Sequence, residues 1–160
     1  MQRRVDARCG LLHIFGWTSP ILPRMIFSKT AEYGIRAMLH LARSPKGRPV
    51  HCQRIAAVEG IPPEFLKLIL RRLATKGLVR SATGTNGGFM LNRKAHDIRL
   101  VDVIVALDED PCDVQCAMGY ARCSENYPCA MHGSWQRIRR SLRTFLRRQT
   151  LAQLARAGQR

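Results

Sequence analysis

The chain has 160 residues, enough for one ordinary domain or a small domain with an extension. Lys and Arg number 27 against 11 Asp and Glu, a formal charge of +16, which favours an anionic partner, nucleic acid before a membrane surface. Apolar residues make up 46%, too many for a wholly disordered chain, yet no apolar run reaches the roughly 18 residues of a membrane span.

Residues 1–24 have a basic start and a short apolar stretch from Leu11 to Trp17, interrupted by His13 and without a clear small-residue cleavage site. They read as an extension, disordered or untranslated in the natural protein, with the patterned chain opening at Met25. A cytoplasmic location is expected, and there six cysteines favour metal or redox chemistry over structural disulfides.

Ser28 is a candidate helix cap. After it Ile35, Met38, Leu39 and Ala42 recur at helical spacing, while Lys29, Glu32, Arg36, His40 and Arg43 take the other face. Two prolines and a glycine in residues 44–49 end that helix. A second helix is predicted from His51 to Glu59, with Ile55, Ala56 and Val58 available for burial and Gly60 just past its end. Pro62 and Pro63 open a third, running to about Lys76, with Phe65, Leu66, Ile69, Leu70 and Leu73 facing inward. Two helices joined by a short Gly-containing turn form a helix-turn-helix pattern, which generic packed helix pairs share.

Residues 78–92 then read as strand, glycine-rich turn and strand, with Asn86, Gly87 and Gly88 suited to positive φ. Together these elements predict a mostly α fold with a small β-hairpin: a winged helix-turn-helix domain over residues 25–107. Its third helix would enter the major groove while the hairpin reaches the adjacent backbone. Glu64, Lys67 and Arg71 form a polar stripe flanked by Arg72 and Lys76. The candidate DNA-contacting residues are Ser28, Lys29, Glu64, Lys67, Arg71, Arg72, Thr85, Asn86, Gly87 and Gly88. A solvated helix face would give the same stripe.

A fourth helix is predicted around Leu100, Val103, Ile104 and Leu107. Asp108, Glu109, Asp110 and Asp113 follow it, four of the eleven acids. The last segment, from Ser134 to about residue 156, reads as one long amphipathic helix. Its stripe is Trp135, Ile138, Leu142 and Phe145, with Leu146, and is joined later by Leu151 and Leu154. Such a stripe needs a partner, most simply its twin in a homodimer, or else the first helix of its own chain.

Residues 108–133 form the loop before that helix. Cys116, Cys123, Cys129 and His132 are separated by six, five and two residues, and Cys129 and His132 stand about one helical turn apart. Three thiols and an imidazole suit an iron–sulfur cluster or zinc. Zinc remains an alternative, because Cys112 and Cys116 could form a second close pair beside Cys129 and His132. A small redox protein is a third reading, but no Cys-x-x-Cys pair and no other catalytic constellation accompanies the thiols, so an enzyme is not expected.

From Met25 to about Ala155 these stretches, in this order, resemble the IscR-like family of winged-helix regulators, which includes NsrR and RirA. The resemblance rests on MIFSKTAEYGIRAMLHLA, on the run from IAAVEGIPPEF to NGGFML, on LVDVIVALDE, on CAMHGSW and on TLAQLA. It implies a homodimeric bacterial transcription regulator, expected to repress, bound to double-stranded promoter DNA and controlled by an iron–sulfur cluster. That cluster would sense iron, cluster status, redox state or nitric oxide. The family's cysteine ligands match Cys116, Cys123 and Cys129, and His132 stands where IscR has its histidine ligand. Here six residues, not five, separate the first two cysteines, and Cys112 is extra. The cluster type, 2Fe–2S or 4Fe–4S, and the fourth ligand therefore stay open. The alternative is the same DNA-binding dimer with zinc or no metal, acting as a thiol or effector sensor.

Overall fold

The computed structural model describes residues 27–45, 47–84, 87–108, 116, 118, 120 and 124–158. The extension at residues 1–24 and the start at Met25 lie outside them. Six helices and one hairpin follow in order: α1 (Lys29–Arg43), α2 (Cys52–Glu59), α3 (Pro63–Thr75), β1 (Val79–Ala82), β2 (Gly88–Leu91), α4 (Leu100–Leu107), α5 (His132–Arg148) and α6 (Leu151–Ala157).

Ser28 caps α1: its Oγ accepts from the Ala31 amide at 3.1 Å, and its hydroxyl donates to Asp108 at the end of α4. The helix buries Ala31, Gly34, Ala37, Met38 and Leu41. Ile35, Leu39 and Ala42, expected inside, are half-buried. The buried face is thus rotated towards the small residues, because α4 approaches closely there. A Cβ on Gly34 would collide with the Leu107 side chain.

Gly60, at φ 62, ends α2 in the left-handed conformation, and Pro63 opens α3. Val58 was expected inside but is 66% exposed. On α3, Leu66, Ile69, Leu70 and Leu73 are buried, whereas Phe65 is half-buried and meets Tyr33 edge-on at 5.9 Å. The main core joins them to Met38, Ile55, Ile98, Leu107 and Leu151. At about 25 cal/mol per Å2 of apolar area, such burial is the main stabilising term of the domain.

β1 and β2 pair antiparallel, with Arg80 opposite Met90 and Ser81 opposite Phe89. Val50 bridges to Phe89 through two backbone hydrogen bonds of 2.8 and 2.9 Å. The positive φ of the hairpin falls on Gly84 and Gly88, not on Gly87, and any Cβ on Gly88 would strike the Val50 carbonyl. Helix-turn-helix followed by this wing is the expected winged-helix architecture.

The predicted long final helix is two helices. α5 ends at Arg148, and Thr150 starts α6 with a capping box: its Oγ1 accepts from the Gln153 amide while Gln153 Oε1 accepts from the Thr150 amide. α6 packs on α1, and α5 packs on α4. Leu151 is fully buried in the main core, and Leu154 packs on a second cluster of Leu100, Ile104 and Leu146. These leucines therefore pack within their own chain. The junction is fastened by Leu100 N to Gln149 O and Leu151 N to Ile98 O, both 2.9 Å.

Candidate nucleic-acid interface and metal centre

α3 presents Glu64, Lys67 and Arg71 to solvent on one stripe, three and then four residues apart. They line a groove of about 700 Å3 between the start of α2 and the wing. His51 and Gln53 from α2, and Ser81 and Phe89 from the wing, complete it. Sequence reasoning missed these four. Only the register that sets Ser81 opposite Phe89, and the Val50 bridge beside His51, bring them to α3. Cys52 lies in the same groove, where partial burial pushes its thiol above the usual range, Lys67 opposes the shift and Glu64 reinforces it.

Arg72 is absent from the groove lining; its guanidinium donates to the Leu107 carbonyl and so ties α3 to α4. Ser28 and Lys29 sit at the start of α1. Lys29 pairs with Glu32 at 2.7 Å, which holds its ammonium above the ordinary value, and lies 5.8 Å from the Tyr33 ring centre. Through the Tyr33–Phe65 contact this end of α1 adjoins α3. Gly87 and Gly88 lie at the turn end of the wing, with Gly87 buried against the Ala82 and Gly84 carbonyls. Thr85 and Asn86 lie outside the described residues. α1 and α2 are locked by Glu59, which pairs with Arg36 at 3.6 Å and His40 at 3.0 Å.

The second candidate site opens at the start of α5. Cys116 is buried, Cys129 half-buried, and their sulfurs stand 3.6 Å apart. The His132 amide donates to the Cys129 carbonyl at 2.9 Å, and His132 lines the same cavity of about 710 Å3, beside Met118, Tyr120 and Ser124. Cys112 and Cys123 lie outside the described residues. Among the described residues no three His, Cys, Asp or Glu side chains converge closely enough to hold a metal. What converges is the thiol pair. Two thiolates on one tetrahedral metal, each about 2.3 Å from it, sit about 3.8 Å apart, whereas a disulfide requires about 2.05 Å. The observed separation leaves room for a soft metal between the two thiols and is equally that of a thiol–thiol hydrogen bond.

On α5, Ile138 is 57% and Phe145 49% exposed, while Trp135 and Leu142 are half-buried. Leu142 packs within the chain on Leu100, Ile104 and Leu146. The outward stripe therefore narrows to Ile138 and Phe145, seven residues apart, with Trp135 at its edge. No helix among the described residues is long and apolar enough to cross a membrane.

A basic helix-turn-helix flanked by a two-stranded wing defines a winged-helix DNA-binding protein. Residues 27–157 match the Rrf2 family, described as iron-dependent transcriptional regulators, and the chain belongs to that family of transcriptional regulators. It is 38% identical over 132 residues to a Mycobacterium tuberculosis (strain ATCC 25618 / H37Rv) protein provisionally named as an HTH-type transcriptional regulator, covering 82% of this chain and 81% of that one. It is 32% identical over 130 residues to the HTH-type transcriptional regulator IscR of Escherichia coli O9:H4 (strain HS), covering 81% and 80%. Among solved structures, CymR, the global cysteine regulator of B. subtilis, superposes with a TM-score of 0.72 at 27% identity, over 82% of this chain and 97% of that one. These relatives are named as regulators, not enzymes.

Proposed function

We propose that this regulator acts as a homodimer whose promoter binding, as a repressor, is controlled by an iron–sulfur cluster held by Cys116, Cys123, Cys129 and His132. The observation that carries the reading is the 3.6 Å approach of Cys116 and Cys129 at the start of α5, beside His132. A bound cluster would supply a centre that iron supply, oxidants or nitric oxide can alter. The chain's own residues supply the connection to DNA. Cys129 and His132 lead into α5; α5 packs on α4; and α4 is tied to α3 by Arg72 and to α1 by Ser28. A change at the thiols can thereby bias the two recognition helices of a dimer between two arrangements. Lys67 and Arg71 are the groove cations that would meet bases or phosphates. Ile138 and Phe145 are the residues that a second copy would cover.

The test is anaerobic purification followed by visible spectroscopy, with iron, sulfide and zinc assayed on the same sample. Iron and sulfide near stoichiometry, with a chromophore lost in Cys116→Ala, Cys123→Ala and Cys129→Ala, are expected. The variants should also change promoter affinity. A colourless protein holding one zinc would shift the site to a structural or thiol-switch role, since the same sulfur spacing suits tetrahedral zinc. A metal-free protein that resists reconstitution, or a Cys123→Ala variant with unchanged spectrum and DNA binding, would end the cluster reading.

A further inference from the structure

The wing has a second face. Neighbouring residues on a strand point to opposite sides, so Ser81 and Phe89 face the recognition groove while Arg80 and Met90 face away from it. On that far side lies a cavity of about 810 Å3, between the end of α1, the wing, the segment after β2, and α6. Leu41, Leu91, Ala152 and Ala155 contribute apolar surface. Arg43, Arg48, Arg80, Arg93, Lys94 and Arg156 also line it, and no Asp or Glu does.

Among the described residues these six cations form no ion pair. Ion pairs among the described residues join Lys29 and Arg36 to Glu32, Arg36 and His40 to Glu59, and His96 to Asp97, and so leave out all six. Arg43 has a structural task, donating to the Ala155 and Gly158 carbonyls at 3.3 and 2.5 Å and so clamping the end of α6. The other five surround an opening that no carboxylate among the described residues lines; the acid beside it, Asp97, is paired with His96 at 3.4 Å. Like charges gathered around one concavity focus a positive potential into it, and an anion there relieves their repulsion. The volume lies within the range of about 300–1,000 Å3 typical of small-molecule sites, and apolar surface beside a few charged groups suits a ligand with an apolar body.

We propose that this cavity binds a small organic anion, an aliphatic or aromatic body carrying a carboxylate, sulfonate or phosphate group, and that the occupant modulates DNA affinity. The site touches the wing, α1 and α6 at once, so a ligand bridging them favours one wing position over others. It is separate from the thiol cavity and does not depend on a cluster.

The experiment is a fluorescence titration of the full-length protein with 8-anilinonaphthalene-1-sulfonate, with neutral N-phenyl-1-naphthylamine as the uncharged counterpart. Saturable binding at one site per protomer, with the neutral probe weaker, is expected. Arg48→Glu combined with Arg93→Glu should weaken the sulfonate by roughly tenfold or more, as lost charged hydrogen bonds would. Ala152→Phe, which fills the cavity without changing charge, should block both probes. Saturating sulfonate should shift promoter affinity of the parent protein but not of the double variant. Non-saturable binding, equal affinity for the neutral probe, or sulfonate affinity unaltered in both variants would overturn the proposal. So would a double variant that loses only DNA affinity, with a shallower salt dependence, because these cations would then be phosphate contacts.

Discussion

Leu151→Ala probes the junction that ends α5 and begins α6. Leu151 is fully buried in the main core, and its amide donates to the Ile98 carbonyl at 2.9 Å. The substitution removes three carbons, a transfer loss of about 2.4 kcal/mol at about 0.8 per methylene. The residual cavity adds to this, giving about 3–4 kcal/mol in total. For a domain of this size that corresponds to a fall in Tm of about 10 °C. Urea unfolding followed by far-UV circular dichroism measures the loss. The same loss is expected in an Ile138→Glu background, because core and interface terms at separated residues add. A loss below about 1 kcal/mol, or one that disappears in that background, would mean that Leu151 belongs to a contact between chains and that the core assignment of α6 is wrong.

Arg71→Ala is expected to lower promoter affinity and reduce the slope of log affinity against log salt by about one, with the urea midpoint unchanged. Its neighbour should behave oppositely: Arg72→Ala leaves the Leu107 carbonyl without its donor and costs about 1 kcal/mol of stability, while the salt slope stays the same. Ile138→Glu and Phe145→Glu place charge on the outward stripe of α5; if the proposed dimer uses that stripe, sedimentation velocity should find dimers for the parent protein and monomers for these variants. Because burial raises the Cys52 thiol, iodoacetamide should modify it more slowly at pH 8 in the native protein than in urea. The sign for stability follows. The native state holds the proton more tightly, so the Cys52 contribution is complete below the unfolded thiol range and declines as pH rises through the native value.

Hydrophobic spacing revealed the helices readily but caught only part of the buried face of α1. Apolarity pointed to Ile35, Met38, Leu39 and Ala42; Met38 is fully buried and the other three pack at the core's edge, while the small residues Ala31, Gly34 and Ala37 are also buried and Gly34 meets Leu107 of α4. Small residues mark close approach between helices and carry little hydropathic signal. The break at Gln149–Thr150 lacks both Gly and Pro, the usual punctuation. Its signature was Thr150-x-x-Gln153, a capping box inside an apparently continuous stripe. Lys67 and Arg71 were legible because four residues on a helix return to one face. Arg72, one residue further, turns about 100° away, and only the tertiary contact with Leu107 reveals its work. The thiol pair was legible as composition, but the approach of Cys116 to Cys129 is a property of the folded loop. The cavity behind the wing was not legible at all: its cations come from α1, the loop after it, the wing, the segment after β2 and α6, and no local pattern links them.

The fastening at Gln149 has a mechanical consequence. α5 is 17 residues, a rod of about 25 Å. At its C-terminal end Leu146 is buried and Gln149 is hydrogen-bonded to the start of α4, so that end is the fulcrum. At the other end stand Cys129 and His132, and between them the rod carries Ile138 and Phe145. A tilt of 10° about the fulcrum moves the far end by about 4 Å over such a length. The same tilt moves Phe145, one turn from the fulcrum, hardly at all. On the proposed reading the arm would turn a small tilt into travel at the thiol end, with Ile138 moving about 3 Å and Phe145 about 1 Å, so the outward stripe would pivot around Phe145.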